Sequence, residues 1–384
     1  MRVLSISPYP VLPLTHGGRV RAYRLAVGLA RAGASVELAC PWHPGLPRGA
    51  FEREGITIRP FLFAANALPA MLGDGLVPPL LQLSWQPFTS GPRHLLKRAR
   101  LHDIVEFHFC AYSAWMSRVG AETLVAYAAH NVELDYTATG SSSVLGRIFR
   151  RRLGALERRA VRASDVVVAC TEADGKRLAE MYGRPKELAV VANGFDDREI
   201  WDTPGVTRTG ARADLGLEPE ELAVLFVGGP AAHNRRAVRF LENELLPRLA
   251  RPARLLFAGQ CARPRRGDGV LALGRVDSLR PLLAAADVAV NPMVAGSGSN
   301  VKLAEYLASG LPVVTTPVGL RGYEAYAHLV TVAELDEFAD AIQSARRVTE
   351  RRPELAELTW SALGRRLHDI YAGLLERRRR SRPR

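Results

Sequence analysis

Short apolar runs rich in Val, Leu, Ile and Ala alternate along nearly the whole chain with longer stretches whose apolar positions recur at helical spacing. Such runs, bounded by Gly, Pro and polar residues, predict buried strands joined by crossover helices. In the first half they are RVLSIS (2–7), SVELAC (35–40), ITIRPF (56–61), DIVEFHF (103–109), TLVAYAA (123–129), DVVVAC (165–170) and ELAVVA (187–192). In the second half they are AVLFVG (223–228), RLLFAG (254–259), VLALG (270–274), VAVNPM (288–293), PVVTT (312–316) and HLVTV (328–332). Between the two series, DDREIWDTPGVTRTGARADLG (196–216) has weak periodicity and reads as a linker. The order strand, loop, helix then restarts, which predicts an α/β protein of two Rossmann-like domains, 1–196 and 197–354. From Pro353 to about Glu376 the apolar positions Leu358, Leu363, Leu367, Ile370 and Leu374 predict a helix, its body spanning 355–376. The closing RRRRSRPR (377–384) has no apolar face and reads as a solvated basic tail.

Composition changes this picture little. A chain of 384 residues exceeds most single cores, in keeping with two domains. Lys and Arg number 52 against 39 Asp and Glu, a net charge of +13, which raises nucleic acid, anionic lipid and phosphate-bearing substrates as partners. No nucleic-acid motif accompanies the charge, so no nucleic-acid partner is expected. The four cysteines, 40, 110, 170 and 261, are far apart, with neither a C-x-x-C pair nor zinc-ligand spacing. No signal-peptide core and no apolar run of ~18 residues is present; LVPPLLQLSW (76–85) is short and broken by prolines. A cytoplasmic protein, soluble or peripheral at the inner face of a membrane, is expected.

Candidate chemistry lies where strands hand over to helices. His16, Gly17 and Gly18 follow the first strand; a Gly-Gly pair at a helix start lets backbone N–H groups approach an anion, although a plain turn explains it equally well. YAAHNVE puts His130, Asn131 and Glu133 after a strand, at the carboxyl edge where open α/β sheets carry ligands. VANGFD (191–196) reads as a turn and boundary, with Asp196 a capping residue. FVGGPAAHNRR brings Gly228, Gly229, Asn234 and Arg235 to a helix start, where cations oppose the macrodipole unless an anion or solvent compensates.

The most informative stretch is GSGSNVKLAE (296–305). Ser297, Gly298, Ser299, Asn300 and Val301 offer backbone N–H groups ahead of a helix. Lys302, one of only four lysines (97, 176, 186, 302), adds a compact cation suited to phosphate. Glu305 stands one turn later on the same face, able to accept from sugar hydroxyls. The competing reading is a surface Lys–Glu pair worth only ~0.2–0.5 kcal/mol. Separately, GRIFRRRLGALERRAVRAS (146–164) gathers seven arginines around an apolar stripe. A helix packed on a core is the first reading there, and contact with an anionic membrane the second.

On these residues the chain resembles the retaining GT-B glycosyltransferases of family 4, also called group 1. The motifs are the first strand with Gly17 and Gly18, HNVE (130–133), NGFD (193–196), FVGG (226–229), LGRVDSLRPLLAAADVAVNP (273–292) and GSGSNVKLAEYLASGLPVV (296–314). The resemblance covers essentially the whole chain. It implies two Rossmann-like domains facing across a cleft, an acceptor-side N-terminal domain, a nucleotide-sugar-binding C-terminal domain, and a last helix that crosses back to the first.

It further implies metal-independent transfer, with retention, of a sugar from a nucleoside-diphosphate sugar to a hydroxyl acceptor: a glycan, a lipid-linked compound or a natural product. No cofactor is required beyond that co-substrate. His130, Lys302 and Glu305 take the catalytic positions. His16, Asn131 and Glu133 fall on the acceptor side, where 68–88 reads as an apolar lid. Two departures stand out. The family's Glu-x7-Glu pair retains its second member as Glu305, but Ser297 replaces the first; and Gly229 and Asn234 stand about where the family has a phosphate-binding Arg and Lys. Lys302 with the amides of 297–301 is then the expected phosphate clamp, with Arg235 or Arg236 as a further candidate. The rivals are a nucleotide-sugar epimerase or hydrolase of the same fold, and a catalytically inactive nucleotide-binding scaffold.

Overall fold

The structure, a computed structural model, describes residues 1–61, 93–136, 144–202, 205–250, 252–295, 298–346 and 352–381. The chain divides into two compact units, Met1–Ala192 with Trp360–Arg384, and Asn193–Thr359. Where the sequence suggested a boundary at 196, the division falls just ahead of Asn193.

Unit 1 is built on strands β1 (Arg2–Ile6), β2 (Ser35–Pro41), β3 (Phe51–Arg53), β4 (Ile56–Phe61), β5 (Ile104–His108), β6 (Leu124–Ala128), β7 (Val166–Ala169) and β8 (Leu188–Val190). They form one sheet in the order β3-β4-β2-β1-β5-β6-β7-β8, parallel except for the β3–β4 hairpin. Strands β5, β6 and β7 are buried along their whole length, which is why they read as near-continuous apolar runs. The order reverses between β1 and β5, so a crevice for ligands is expected beyond their carboxyl ends. Helix α1 (Gly17–Arg31) follows β1. Helices α2 (Val144–Ala163) and α3 (Glu172–Tyr182) flank β7 in the chain.

Unit 2 has a second sheet from β9 (Leu222–Val227), β10 (Ala253–Ala258), β11 (Arg265–Gly267), β12 (Val270–Gly274), β13 (Val288–Asn291), β14 (Val313–Thr315) and β15 (Thr331–Val332). Its order, β11-β12-β10-β9-β13-β14-β15, switches between β9 and β13. Helix α4 (Ala232–Phe240) follows β9 and α5 (Val301–Ala308) follows β13.

Three expectations need correction. The stretch 196–216 is not a bare linker: it carries a π turn at Arg198–Asp202 and a helix Arg208–Leu215, capped by the Thr207 hydroxyl and by Gly216 in the left-handed region. The last helix is not continuous from Pro353. A 3-10 turn covers Pro353–Leu358, and α6 then runs Trp360–Arg380, through the arginines read as a tail. Their charges suit a helix C-terminus, and Arg377 and Arg378 reach Glu187 and Asp165 at 3.3 and 3.7 Å. Finally, β3 and β11 are antiparallel edge strands that the apolar pattern did not reveal.

Helix α6 returns the chain to unit 1, packing along α1. The two backbones meet at Gly28 and Gly364, where a methyl group on either residue would strike the other helix. The tyrosine of the next turns, Tyr371, is fully buried and points its hydroxyl at Glu106 of β5. Among the described residues no helix is long and apolar enough to cross a membrane.

Candidate functional site

In unit 2 the two loops at the switch point converge on one amine. Lys302, on the first turn of α5, is only 8 % exposed. Its Nζ lies 3.5 Å from Asn234 Oδ1, 4.0 Å from Met293 Sδ and 4.1 Å from the centroid of the Phe226 ring. These are a neutral amide, a thioether and a π face. No carboxylate among the described residues pairs with the ammonium, so the surface Lys–Glu reading fails, Glu305 standing half-buried one turn on. Burial pushes the Lys302 pKa down to about 7. A cation kept in such surroundings is poised to regain its charge when an anion arrives.

The backbone around it is arranged for that anion. Neither α4 nor α5 has a side-chain cap or an acidic residue in its first turn, so no carboxylate of their own first turns offsets the positive end of either dipole. Asn234 joins the two helices: its Nδ2 donates to the Gly229 carbonyl at 3.2 Å while its Oδ1 accepts from Lys302. Gly228 lacks a side chain for a visible reason, since a Cβ would lie 3.0 Å from Cys261 Cβ and Phe226 Cε1, and 3.1 Å from Asn234 Cγ. The Val227 N–H donates to the Tyr306 hydroxyl at 2.8 Å, tying α5 to the end of β9.

The loop ahead of α5 is held from three sides. Asn193 Nδ2 donates to the Ser299 carbonyl and hydroxyl at 3.1 and 2.9 Å, Arg321 Nε to the Gly298 carbonyl at 2.9 Å, and Asn300 Nδ2 to the Gly319 carbonyl at 3.2 Å. Gly298 has φ 74°, a conformation that suits glycine. Val301 opens α5. Ser297 lies outside the described residues, as does the apolar segment 68–88. Arg235 is exposed and donates to the Pro230 carbonyl. Its charge and that of Lys302 assist burial in lowering the pKa of His233.

In unit 1 His130 is buried beyond the end of β6. Its Nδ1 is 3.2 Å from the Tyr9 hydroxyl and its Nε2 2.9 Å from His108 Nδ1. Burial first, then the charges of His108, Arg21 and His16, holds its pKa well below the usual histidine range. Gly17 and Gly18 open α1, and a Cβ on Gly18 would sit 2.5 Å from the Tyr9 hydroxyl. His16, at the N-cap, meets the Tyr9 ring edge-on at 5.1 Å.

Asn131 Nδ2 donates to Glu133 Oε1 at 3.5 Å, and the Glu133 carboxyl is buried, its pKa raised by burial and by the charge of Glu157. Glu157 accepts from the Glu133 N–H and the Tyr182 hydroxyl, each at 2.8 Å, and burial raises its carboxyl to about 7.

Several of these partners escaped the sequence reading. Asn193 looked like turn chemistry, yet its side chain secures the α5 loop. Phe226 was counted as a strand residue only. Arg19 and Arg21 of α1 are fully buried, Arg21 donating to the carbonyls of Val191 and Ala192 at 2.7 and 3.0 Å. Glu106 and His108 carried a signal, since two ionisable residues on one face of DIVEFHF interrupt an otherwise apolar strand.

Comparison with known proteins agrees with both units. Residues 15–199 match the family described as glycosyltransferase family 4, and residues 221–346 match glycosyl transferases group 1. The two matches together span well over half of the chain, which belongs to the group 1, family 4 glycosyltransferases. A D-inositol 3-phosphate glycosyltransferase of Nocardia farcinica is 27% identical over 336 residues, 79% of this chain and 70% of that protein. One from Rhodococcus erythropolis is 31% identical over 237 residues, 54% of this chain and about half, 51%, of its own length.

Among solved structures, sucrose-phosphate synthase from Thermosynechococcus elongatus superposes with a TM-score of 0.78 at 17% identity, covering 98% of this chain and 100% of that one. Anabaena HepE in complex with UDP-glucose gives 0.64 at 14% identity, covering 98% and 100%. At these identities the structural likeness establishes the fold, which is GT-B, and leaves the chemistry to the residues.

Proposed function

We propose that this protein transfers a sugar from a nucleoside-diphosphate sugar to a hydroxyl acceptor, with retention at the anomeric carbon and without a metal ion. The observation that carries the reading is Lys302: a buried amine with no anionic partner among the described residues, beside two helix N-termini that no side chain caps. A diphosphate supplies the missing negative charge. Family membership supports the same reading, and the complex of HepE with UDP-glucose makes UDP-sugars the first donors to test.

In this reading the C1–O bond to the diphosphate breaks and a C1–O bond to the acceptor forms on the same face. The acceptor's proton passes to the departing phosphate oxygen. Lys302 and the N-termini of α4 and α5 stabilise the charge that develops on that oxygen, the role usually taken by preorganised donors. Asn234 orients the ammonium, Glu305 accepts from the donor sugar, and His130 contributes a hydrogen bond near the transferred sugar without serving as base, in keeping with its depressed pKa. Loss of Lys302 should lower turnover by about 100-fold or more.

The test is a thermal-shift screen against UDP, GDP, ADP, TDP and CDP and their sugars, with D-inositol 3-phosphate and simple glycans as acceptors in the follow-up assay. A ligand at 100 times its Kd stabilises by about 2.7 kcal/mol. One nucleotide should shift the wild type but not Lys302→Met. A screen in which none shifts the wild type, at concentrations that shift a known nucleotide-sugar enzyme, would sink the reading.

A further inference from the structure

Behind His130 lies a chain of buried polar groups that the transfer reading leaves unused. The Tyr371 hydroxyl donates to Glu106 Oε1 at 2.7 Å, and the Ser5 hydroxyl donates to Glu106 Oε2 at 3.0 Å. His108 Nε2 sits 2.7 Å from Ser5 Oγ and 3.1 Å from Glu106 Oε2. His108 Nδ1 meets His130 Nε2 at 2.9 Å, and His130 Nδ1 meets the Tyr9 hydroxyl at 3.2 Å. Glu106 is 1 % exposed and His108 0 %.

Hydrogen counting along this chain leaves few choices. Ser5 has one hydroxyl hydrogen and gives it to Glu106, so its oxygen accepts from His108 Nε2–H. A bare Nε2 would instead set a lone pair against both the serine oxygen and the carboxylate. The Glu106 carboxyl is held down at about 2, with the neighbouring His108 charge and the hydrogen bonds from His108, Tyr371 and Ser5 overcoming its burial. A buried carboxylate needs a cation, and the group in contact with it is the His108 imidazole. With a hydrogen on both of its ring nitrogens His108 would donate through Nδ1 as well, and His130 Nε2 would then accept. The one hydrogen left to neutral His130 is on Nδ1, where it faces the Tyr9 oxygen.

We propose that Glu106 keeps His108 protonated on both ring nitrogens, and that the two are positioning residues that hold His130 as the neutral Nδ1–H tautomer, which leaves the Tyr9 hydroxyl as a hydrogen-bond donor beside Gly18 at the start of α1. The proposal rests on the reading of His130 as a residue of the transfer site. It extends that site by three residues and gives the buried charge pair a purpose: it fixes in advance which group donates to a substrate oxygen at the α1 N-terminus. With a neutral His108 its Nδ1 could only accept, and His130 would be held in the opposite, Nε2–H form.

The experiment is histidine 15N NMR on the full chain, with His130→Gln and His108→Gln to assign the two rings. It needs neither donor nor acceptor. The wild type should show a pyrrole-type Nδ1 and a pyridine-type Nε2 for His130, and two protonated nitrogens for His108. Glu106→Gln removes the carboxylate charge, so His108 should become neutral and His130 should move to the Nε2–H form. A structural role for Glu106 would leave the His130 pattern unchanged in that variant, and such a result overturns the proposal. If Glu106→Gln fails to fold, the wild-type spectrum decides alone, because an Nε2–H His130 or a neutral His108 is equally fatal. Absence of glycosyl transfer alongside the expected spectra would overturn the transfer reading and leave the relay standing.

Discussion

At the scale of single residues, the two glycines of FVGG are not equivalent. Gly228 is enclosed by Cys261, Phe226 and Asn234, two of which hold the Lys302 amine, whereas among the described residues a Cβ on Gly229 would meet only Asn234 Nδ2 at 4.0 Å. Gly228→Ala should therefore cost about 1–3 kcal/mol through overpacking and weaken nucleotide binding. Gly229→Ala should leave both nearly unchanged. Denaturant melts and nucleotide titrations of the two variants check this, and equal behaviour would mean that the enclosure is not what holds Lys302.

The sequence made Lys302 visible by its rarity among arginines and by its place after a Gly/Ser run. It could not show that Asn234, Met293 and Phe226 surround the amine, because those contacts join two segments, 226–234 and 293–302, far apart in the chain. Tyr9 was hidden for the same reason, its hydroxyl being defined by Gly18 and His130 and by nothing near it in the chain.

At the scale of elements, the parallel strands were legible because burial on both faces makes them continuous apolar runs. The edge strands β3 and β11 were not, since edges are polar and short. Their turns did carry a signal: Glu54-Gly55 and Asp268-Gly269 both have two consecutive positive φ values, and Asp-Gly between strands is a strong hairpin marker. The arginines at the end of α6 illustrate the converse, because helix-terminal electrostatics and ion pairs ordered a segment that periodicity alone read as tail.

The crossing of α1 and α6 gives an element-level prediction. Gly364 allows the α1 backbone at Gly28 to approach closely, while a Cβ on Gly373 of the same helix would meet, among the described residues, only the Arg377 guanidinium at 3.8 Å. Gly364→Ala should lower the Tm by several degrees, and Gly373→Ala should hold or raise it, because alanine is favoured over glycine within a helix by up to ~1 kcal/mol. Thermal unfolding of the pair reads the difference, and matching Tm values would show that the helices separate at no cost.

At the scale of the whole molecule, the division into two α/β units followed from the restart of the strand pattern. The exact residue of division did not, because 196–216 has structure without strong periodicity. The net charge of +13 invited nucleic acid and lipid, yet the cation at the switch point of unit 2, Lys302, is buried. Proton linkage tests whether this amine receives a diphosphate. With its pKa near 7, Lys302 is half neutral at pH 7 and almost wholly neutral at pH 9. A bound diphosphate favours the ammonium and returns the pKa toward the ordinary ~10.4, so binding above pH 7 takes up a proton.

The decisive measurement is the Kd of the nucleoside diphosphate selected by the thermal screen, titrated between pH 7 and 9 with wild type and Lys302→Met. The wild-type Kd should rise roughly 50-fold across that range, following the loss of the charged form. The variant should bind weakly and with little pH dependence. A flat wild-type profile, or a Lys302→Met protein that binds as tightly as the wild type, would contradict the account.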